Sequence, residues 1–436
     1  MSDADIRRLE RQAAGHPAAR LELARAHERG GRPADALEAL WRGCQNLAVR
    51  RAAAACDPRR APVQAEPSQA WRQRLSVSES YRLVASPLAL TLSSNNRTLA
   101  LDPVSGELRC ESHAGVVTRQ QETLALLQWD GTLLGLDAWT GETLYTLRLR
   151  GRERWFGGAY VLERCREELL CSTFAEPRAA PQVLWSAKPG LGSADLAPFL
   201  WAFEQAIVLQ DWHGAGARGS DVLVLDARTG AELHRPTWLG SAGTLRALCA
   251  GDLLVLTRGE RAVVVDASTG RERLRLTNAK VSVHPGLLLV TDAEGGLRAL
   301  APDGEELWAL PAVAGGREVL GVSDAVVSLR SYLRPGARHT IHARATGALL
   351  GELDPELETV TLVEDSHYAS RPTEQGGDLV VAFDVAGAER WRWRLAPTED
   401  PPRALYLAVL PGRLYVQRGR EVACLVEAGG APSGQE

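Results

Sequence analysis

The stretch Gly135-Leu136-Asp137-Ala138-Trp139-Thr140-Gly141-Glu142 decides the fold. An apolar run leads into an Asp-x-x-Thr-Gly turn, and a second apolar run follows the turn. Glycine at the end of the turn suits the left-handed conformation of a hairpin with a bulge, and Asp and Thr side chains can bond the backbone of their own turn. The stretch therefore predicts two antiparallel strands joined by a tight turn.

This turn recurs along the chain. Clear copies and looser ones end at Gly106, Gly141, Gly230, Gly270, Gly304, Gly347, Gly387 and Gly429. The intervals run from 34 to 43 residues, except for the 89 residues between Gly141 and Gly230. That long interval predicts a degenerate copy, supplied by strand-like runs at 159–163, 168–173 and 182–186. A period near 40 residues with four short strands indicates a β-propeller.

The repeat resembles the pyrroloquinoline-quinone (PQQ)-type propeller repeat, also called quinoprotein-like, over about 71–429. The shared pattern is an apolar run, Asp-x-x-Thr-Gly and a later tryptophan, best seen at Trp308 and Trp391. The Thr-Gly turn, and the lack of Gly-His and Trp-Asp dipeptides at repeat ends, distinguish it from WD40 repeats. The eight turns and the predicted degenerate copy make nine, but the resemblance implies eight or seven blades. We predict an all-β propeller of about eight four-stranded blades, with seven as the alternative.

The two ends of the propeller are predicted to meet. Trp71-Arg72-Gln73-Arg74-Leu75 is similar to the strand after the turn at Gly387, Trp391-Arg392-Trp393-Arg394-Leu395, yet no turn precedes it. The turn at Gly429 has only a short tail after it. We expect the N-terminal strand to complete the C-terminal blade, which removes the unpaired edges that a broken ring would expose.

The sequence divides into four predicted parts. Residues 1–56 are rich in Ala, Leu, Glu and Arg and predict helices; within them, 17–50 resembles a single tetratricopeptide repeat, with a plain helical hairpin as the alternative. Residues 57–69 read as a Pro-rich linker, 70–429 as the propeller and 430–436 as a flexible tail.

Composition restricts the class of protein. An apolar content of 45% and a charged content of 24% are ordinary globular values. The net charge of −4 argues against a general nucleic-acid binder. Without an apolar signal region or a membrane-length apolar run, we expect a cytoplasmic protein that does not insert into membranes. The near absence of lysine beside many arginines indicates a GC-rich bacterial genome, and seven scattered cysteines indicate reduced thiols.

Several motifs of catalytic or metal sites are better explained structurally. The G-x-G-x-x-G at 214–219 precedes a predicted strand rather than a helix, so we interpret it as a hairpin loop. His339 and His342 are three apart on a predicted strand and should point to opposite faces, which favours a surface or core role over a paired metal site. Cys165 and Cys171 are expected to be structural thiols. Turn aspartates should bond their own hairpins: Asp102, Asp137, Asp226, Asp266 and Asp384.

The resemblance to quinoprotein dehydrogenases implies a quinone cofactor, a calcium or lanthanide ion and a pair of adjacent cysteines above the ring. This chain has no adjacent cysteines. We therefore predict no catalytic, cofactor-binding or metal residues and no enzyme activity. Trp391 and Trp393 are expected to pack between blades, and the irregular segments 211–220 and 364–377 are the expected binding loops.

The function that we expect is a non-catalytic protein-interaction scaffold or adaptor with a protein partner. Two alternatives stay open: a quinone-dependent dehydrogenase-type enzyme, or a periplasmic propeller of the outer-membrane assembly type.

Overall fold

The computed structural model describes residues 22–27, 67–75, 82–86, 88–94, 97–113, 115–120, 123–138, 140–151, 153–157, 159–165, 168–174, 176, 178–188, 199–210, 222–236, 239, 244–313, 315–333, 336–353, 357, 359–363, 366–372, 378–395, 405–410 and 412–426. Across these residues the chain forms 36 strands in nine four-stranded antiparallel sheets, which are the blades of a propeller.

The blades follow one another along the chain. Blades 1 to 3 consist of β2 (Arg82–Ala85), β3 (Leu90–Ser93), β4 (Thr98–Leu101) and β5 (Leu108–Ser112); β6 (Gly115–Gln120), β7 (Thr123–Leu127), β8 (Thr132–Asp137) and β9 (Thr143–Arg148); and β10 (Glu153–Gly157), β11 (Tyr160–Cys165), β12 (Glu168–Thr173) and β13 (Gln182–Ala187). Blades 4 to 6 consist of β14 (Phe199–Ala202), β15 (Ala206–Gln210), β16 (Val222–Asp226) and β17 (Glu232–His234); β18 (Leu245–Ala250), β19 (Leu253–Arg258), β20 (Arg261–Asp266) and β21 (Glu272–Thr277); and β22 (Ala279–His284), β23 (Leu287–Asp292), β24 (Leu297–Leu300) and β25 (Glu306–Leu310). Blades 7 to 9 consist of β26 (Arg317–Val322), β27 (Val326–Leu333), β28 (Gly336–Ala343) and β29 (Leu349–Leu353); β30 (Thr359–Val363), β31 (Ser366–Pro372), β32 (Asp378–Phe383) and β33 (Glu389–Leu395); and β34 (Leu405–Leu410), β35 (Arg413–Arg418), β36 (Glu421–Val426) and β1 (Ser68–Arg74).

The described residues form nine blades, so the prediction of eight, or seven, is wrong. The degenerate copy predicted between Gly141 and Gly230 is confirmed and is a full blade, blade 3. Its β12–β13 connection replaces the glycine turn with Arg178, which adopts the left-handed conformation at a φ of 70°. The Arg178 guanidinium then bonds Asp137 of the preceding blade's turn at 3.0 Å. This inter-blade ion pair holds the turn in place of the Asp-x-x-Thr-Gly hydrogen bonds, and the Thr-Gly signature is missing.

The apolar core is divided among the seams between blades. The second and third strands of a blade are buried on both faces, as in β4, whereas outer strands such as β9 alternate between exposed and half-buried residues. In the described residues, nine apolar clusters occur, and each joins one pair of neighbouring blades, including blades 9 and 1. Nine seams for nine blades make a closed ring.

The glycine turns dock each blade on the previous one. In the turn at Gly230, the glycine N–H donates to the Asp226 carbonyl at 2.9 Å with a φ of 71°, which suits glycine. Trp185 of blade 3 lies against Gly230 and donates its indole N–H to the Ala227 carbonyl at 3.0 Å. Trp308 donates in the same way to Arg344 of blade 7 at 2.7 Å.

The predicted ring closure is confirmed. Strand β1 pairs antiparallel with β36, from Ser68↔Val426 to Arg74↔Glu421, and supplies the outer strand of blade 9. The terminal blade therefore combines both ends of the propeller, and β36 has a partner strand on each side.

Part of the N-terminal prediction lies outside the described residues. Of the helical region 1–56, the structure describes 22–27, a short helix whose Ala24 packs into the cluster between blades 9 and 1. The remainder of the tetratricopeptide-like unit 17–50, the linker up to residue 66 and the tail 430–436 lie outside the described part. In that part, no helix is long and apolar enough to cross a bilayer.

The interpretation of 364–377 as one irregular segment is wrong. Residues Ser366–Pro372 form β31, the second strand of blade 8, and His367, Tyr368 and Ser370 are buried there. The polar composition of this segment conceals a core strand, because the buried side chains include a histidine and a serine rather than an aliphatic run.

Candidate functional site

The aspartates of the turns bond their own turns, as the sequence indicates. Asp226 Oδ1 accepts from the backbone N–H of Arg228 at 2.9 Å and of Thr229 at 2.7 Å. The same pattern occurs in the other copies, at Asp102, Asp137, Asp266 and Asp384. These five carboxylates belong to five different blades, and each serves its own turn.

The histidine pair on β28 is also structural. His342 Nδ1 donates to the Gly347 carbonyl at 2.9 Å, and Nε2 lies 3.0 Å from Thr340 Oγ1. Burial lowers the pKa of His342, so the ring is neutral and fixes the turn of blade 7. Among the described residues, no three His, Cys, Asp or Glu side chains are placed to hold a metal ion.

The thiols in blade 3 are held protonated by their surroundings. Burial raises the pKa of Cys171 to about 12, and burial followed by Glu163 and Glu168 raises the pKa of Cys165. A nucleophilic cysteine needs a lowered pKa. Neither thiol pairs with an adjacent cysteine in the way the quinoprotein resemblance implies, so the described residues do not fit that cofactor. The G-x-G-x-x-G at 214–219 and the loop 211–220 lie outside the described residues.

A pocket between blades 8 and 9 is the strongest candidate site in the part of the chain that the structure describes. It encloses about 240 Å³. This is below the roughly 300–1,000 Å³ of pockets for cofactors and drug-sized ligands, so it suits a single side chain. Its lining comes from four strands: Gln69 and Arg72 of β1, Trp393, Arg394 and Leu395 of β33, Val416 and Arg418 of β35, and Glu421 and Ala423 of β36. We call it the blade 8–9 pocket.

A β-bulge in β1 creates one wall of this pocket. The register shifts between Gln69, which pairs with Leu425, and Trp71, which pairs with Cys424. The extra residue places Gln69 and Arg72 on the same face, toward blade 8, while Trp71 faces blade 1. A regular strand would direct residues three apart to opposite faces.

The opposite wall belongs to the outer strand of blade 8. Trp391 is buried beneath the pocket in the cluster between blades 8 and 9, and its ring lies 6.1 Å from that of Tyr368. Trp393, half-buried on the same face, packs against the same cluster and lines the pocket. The predicted inter-blade packing of both tryptophans is confirmed, and Trp393 has a second role as an aromatic pocket wall.

Ion pairs hold two of the arginines of the pocket. Arg418, 7% exposed, forms an ion pair with Asp378 of blade 8, with Nε and Oδ2 2.6 Å apart, and so ties the two blades together. Burial raises the pKa of Asp378, and Arg418 opposes that rise. Nearer to solvent, Arg72 pairs with Glu421 across β1 and β36. The pocket therefore presents guanidinium groups fixed in place beside an indole ring.

A sequence similarity that predicts ring closure also marks two walls of this pocket. Trp71–Leu75 and Trp391–Leu395 share the pattern Trp-Arg-x-Arg-Leu, and the structure places these two stretches on opposite sides of one pocket. The bulge that turns Arg72 inward has no sequence signature, so the pocket was missed.

Comparison with known proteins supports the repeat. Residues 218–355, less than half of the chain, match the PQQ-type family described as outer membrane protein assembly factor BamB. The match runs from β16 to β29 and contains the turns at Gly230, Gly270, Gly304 and Gly347. It gives no support to a tetratricopeptide-like unit at the N-terminus. No curated protein sequence matches the chain.

Several solved structures align with the chain, and one with a TM-score above 0.5 shares the fold. A eukaryotic initiation factor aligns with a TM-score of 0.53 and 12% identity, over 73% of this chain and 89% of that one. BamB from Moraxella catarrhalis aligns with a TM-score of 0.41 and 14% identity, over 83% and 99%. Quinohemoprotein alcohol dehydrogenase from Comamonas testosteroni aligns with a TM-score of 0.43 and 13% identity, over 85% and 78%. At these identities the likeness concerns the fold alone.

Proposed function

We propose that this propeller is a non-catalytic protein-interaction scaffold that holds a partner at the blade 8–9 pocket. The observation that carries the proposal is the lining of that pocket, in which arginines and a tryptophan face a space of side-chain size. Trp and Arg are the residue types that dominate the binding energy of protein interfaces, and they act best in a pocket at the interface centre.

The ring suits this role because it is rigid on both sides of the pocket. Blade 8 and blade 9 share a buried apolar cluster, and Arg418 bonds Asp378 across the seam. A partner side chain that enters the pocket meets groups that are already ordered. Little conformational entropy is then lost on binding.

Affinity capture followed by quantitative mass spectrometry tests the proposal. The intact chain, an Arg72→Glu variant and an Arg338→Glu control would each be exposed to lysate from cells that carry the gene naturally. Arg338 pairs with Glu352 on blade 7, as Arg72 pairs with Glu421 on blade 9, so the control repeats the same charge reversal away from the pocket. A partner retained by the control and lost with Arg72→Glu supports the proposal; identical capture by all three chains contradicts it.

A second candidate is a propeller that assists outer-membrane protein assembly, as the description of the matched family says of its members. It is favoured by the match over 218–355 alone. The two candidates differ in compartment, since we place the scaffold in the cytoplasm of a bacterium. Cell fractionation with an antibody to the chain separates them: signal in the cytosol supports the first candidate, and signal in the envelope supports the second.

A further inference from the structure

We propose that the blade 8–9 pocket binds the carboxylate side chain of an acidic segment in a partner protein, with Glu421 as an internal stand-in for that carboxylate. This inference rests on the proposed scaffold function and names the chemistry that the pocket selects.

The side chains of the lining favour an anion as ligand. Arg72, Arg394 and Arg418 line the pocket together with the carboxylate of Glu421. Arg72 and Arg418 are paired with Glu421 and Asp378, so the pocket attracts an acid through guanidinium hydrogen-bond donors rather than through a net positive charge. Guanidinium groups form their strongest hydrogen bonds with carboxylate and phosphate oxygens.

Glu421 already shows how an acid sits in the site. Its carboxylate bonds Arg72, and the side chains of the two residues are 26% and 40% exposed. A pair exposed to this extent contributes little to stability, so an incoming carboxylate can take the place of Glu421 on Arg72 at small cost. Arg418 is different, because it is buried and its ion pair with Asp378 of blade 8, at 2.6 Å, holds it in place. It supplies a guanidinium group whose position is already fixed when a ligand arrives.

Size and aromatic surface narrow the ligand further. A space of about 240 Å³ accepts one acidic side chain rather than a nucleotide or a folded element. Trp393 offers an apolar face for the methylene groups of a glutamate or for the next residue of the segment.

Fluorescence anisotropy with a fluorescein-labelled hexaglutamate peptide tests the inference on the full chain. We expect Arg72→Gln to weaken binding about ten-fold, the loss of one charge-assisted hydrogen bond. Glu421→Gln should strengthen binding about three-fold, because it removes the competing carboxylate; a merely structural Glu421 would not produce a gain. Arg338→Gln on blade 7 should leave the affinity unchanged. The double variant Arg418→Gln/Asp378→Asn removes both buried charges together, so that neither stays unpaired, and should also weaken binding about ten-fold.

Opposite results overturn the inference. One such result is that all variants bind hexaglutamate with equal affinity, and another is that Glu421→Gln binds it more weakly than the native chain does. A third is that the native chain binds labelled hexalysine or labelled oligothymidylate more tightly than hexaglutamate. If the capture experiment loses a partner with Arg72→Glu while hexaglutamate does not bind, the scaffold function stands and the acidic ligand is excluded. If neither the peptide nor any partner depends on Arg72, both proposals fail.

Discussion

Trp71 and Tyr415 donate hydrogen bonds to the same acceptor, the carbonyl oxygen of Pro103, over 3.4 and 2.9 Å. Trp71 lies on β1 and Tyr415 on β35, both in blade 9. Pro103 lies in the β4–β5 turn of blade 1. Their rings lie 6.0 Å apart at an angle of 43°. A single carbonyl thus ties both ends of the propeller to the blade that follows in the ring.

The shared acceptor predicts non-additive losses of stability. Tyr415→Phe should lower the free energy of unfolding by about 1 kcal/mol, since Trp71 still satisfies the carbonyl. Combining it with Trp71→Phe should cost at least about 0.5 kcal/mol more than the sum of the two single variants, because the carbonyl then loses both donors. Urea denaturation followed by circular dichroism measures this. Trp185→Phe affects a different seam, so its loss in free energy of unfolding should simply add to that of Tyr415→Phe. The shared acceptor is contradicted if the double variant with Trp71→Phe is just as additive.

Glycine in the turns is required for close approach as well as for backbone conformation. Gly270 and Gly251 have positive φ values of 71° and 60°, but a Cβ at Gly270 would lie 2.3 Å from the Leu233 carbonyl oxygen, whereas at Gly251 it would meet nothing within 4 Å. We expect Gly251→Ala to cost about 1 kcal/mol from left-handed strain alone. Gly270→Ala should cost at least about 1 kcal/mol more, because blade 4 must shift. Thermal unfolding of the two variants compares them, and equal losses would show that the blades do not depend on this contact.

The pH dependence of stability should report Asp266. Burial raises the pKa of its carboxyl, but hydrogen bonds from Arg273, Ser268 and Thr269 outweigh burial and hold the pKa well below its ordinary range. A carboxyl with a lowered folded-state pKa stabilises the protein above its unfolded value of about 3.9, and that contribution is lost as the pH falls toward the folded value. The stability difference between the native chain and Asp266→Asn should be about 1–2 kcal/mol at pH 7 and shrink below about pH 4. Denaturation series from pH 7 to pH 2.5 measure this stability difference. A difference that stays constant over that range would show that the Asp266 carboxylate does not contribute to the pH dependence.

The described thiols should resist alkylation in the folded protein. Burial raises the pKa of Cys171 to about 12, and burial, Asp252 and Glu204 raise the pKa of Cys249 to about 11. Because the thiolate is the reactive form, iodoacetamide at pH 8 should label neither residue until guanidinium chloride unfolds the chain. Peptide mapping by mass spectrometry locates the label. Rapid labelling of Cys171 without denaturant would mean that blade 3 opens in the native state.

The repeat was readable from the sequence because each turn carries its own chemistry. The Asp-x-x-Thr-Gly copies located the hairpins at Gly106, Gly230 and Gly270, and the Trp-Arg-x-Arg-Leu similarity located the strand that closes the ring. Nine turns can be counted from the sequence, blade 3 included, and only the resemblance to eight-bladed and seven-bladed relatives lowers that number. Blade 3 lacks the turn signature because Arg178 holds its turn through an ion pair to another blade, which a local pattern cannot reveal.

The candidate site was less predictable, for a physical reason. Arg72 and Arg418 are 346 residues apart in sequence, and ordinary alternation would direct Arg72 and Gln69 to opposite faces. The bulge between Gln69 and Trp71 brings them to one wall. Arginine and glutamine are common residue types, so they can be assigned to a pocket only once the register of the closing strand is known.

The strand exchange within blade 9 also bears on the synthesis of the protein. Arg72 leaves the ribosome 346 residues before Arg418, so the first strand must stay unpaired until β36 has emerged. A chain interrupted before β36 leaves the pocket wall opposite Trp393 incomplete. Under the proposed function, a fragment of this kind would not compete for a partner at the blade 8–9 pocket.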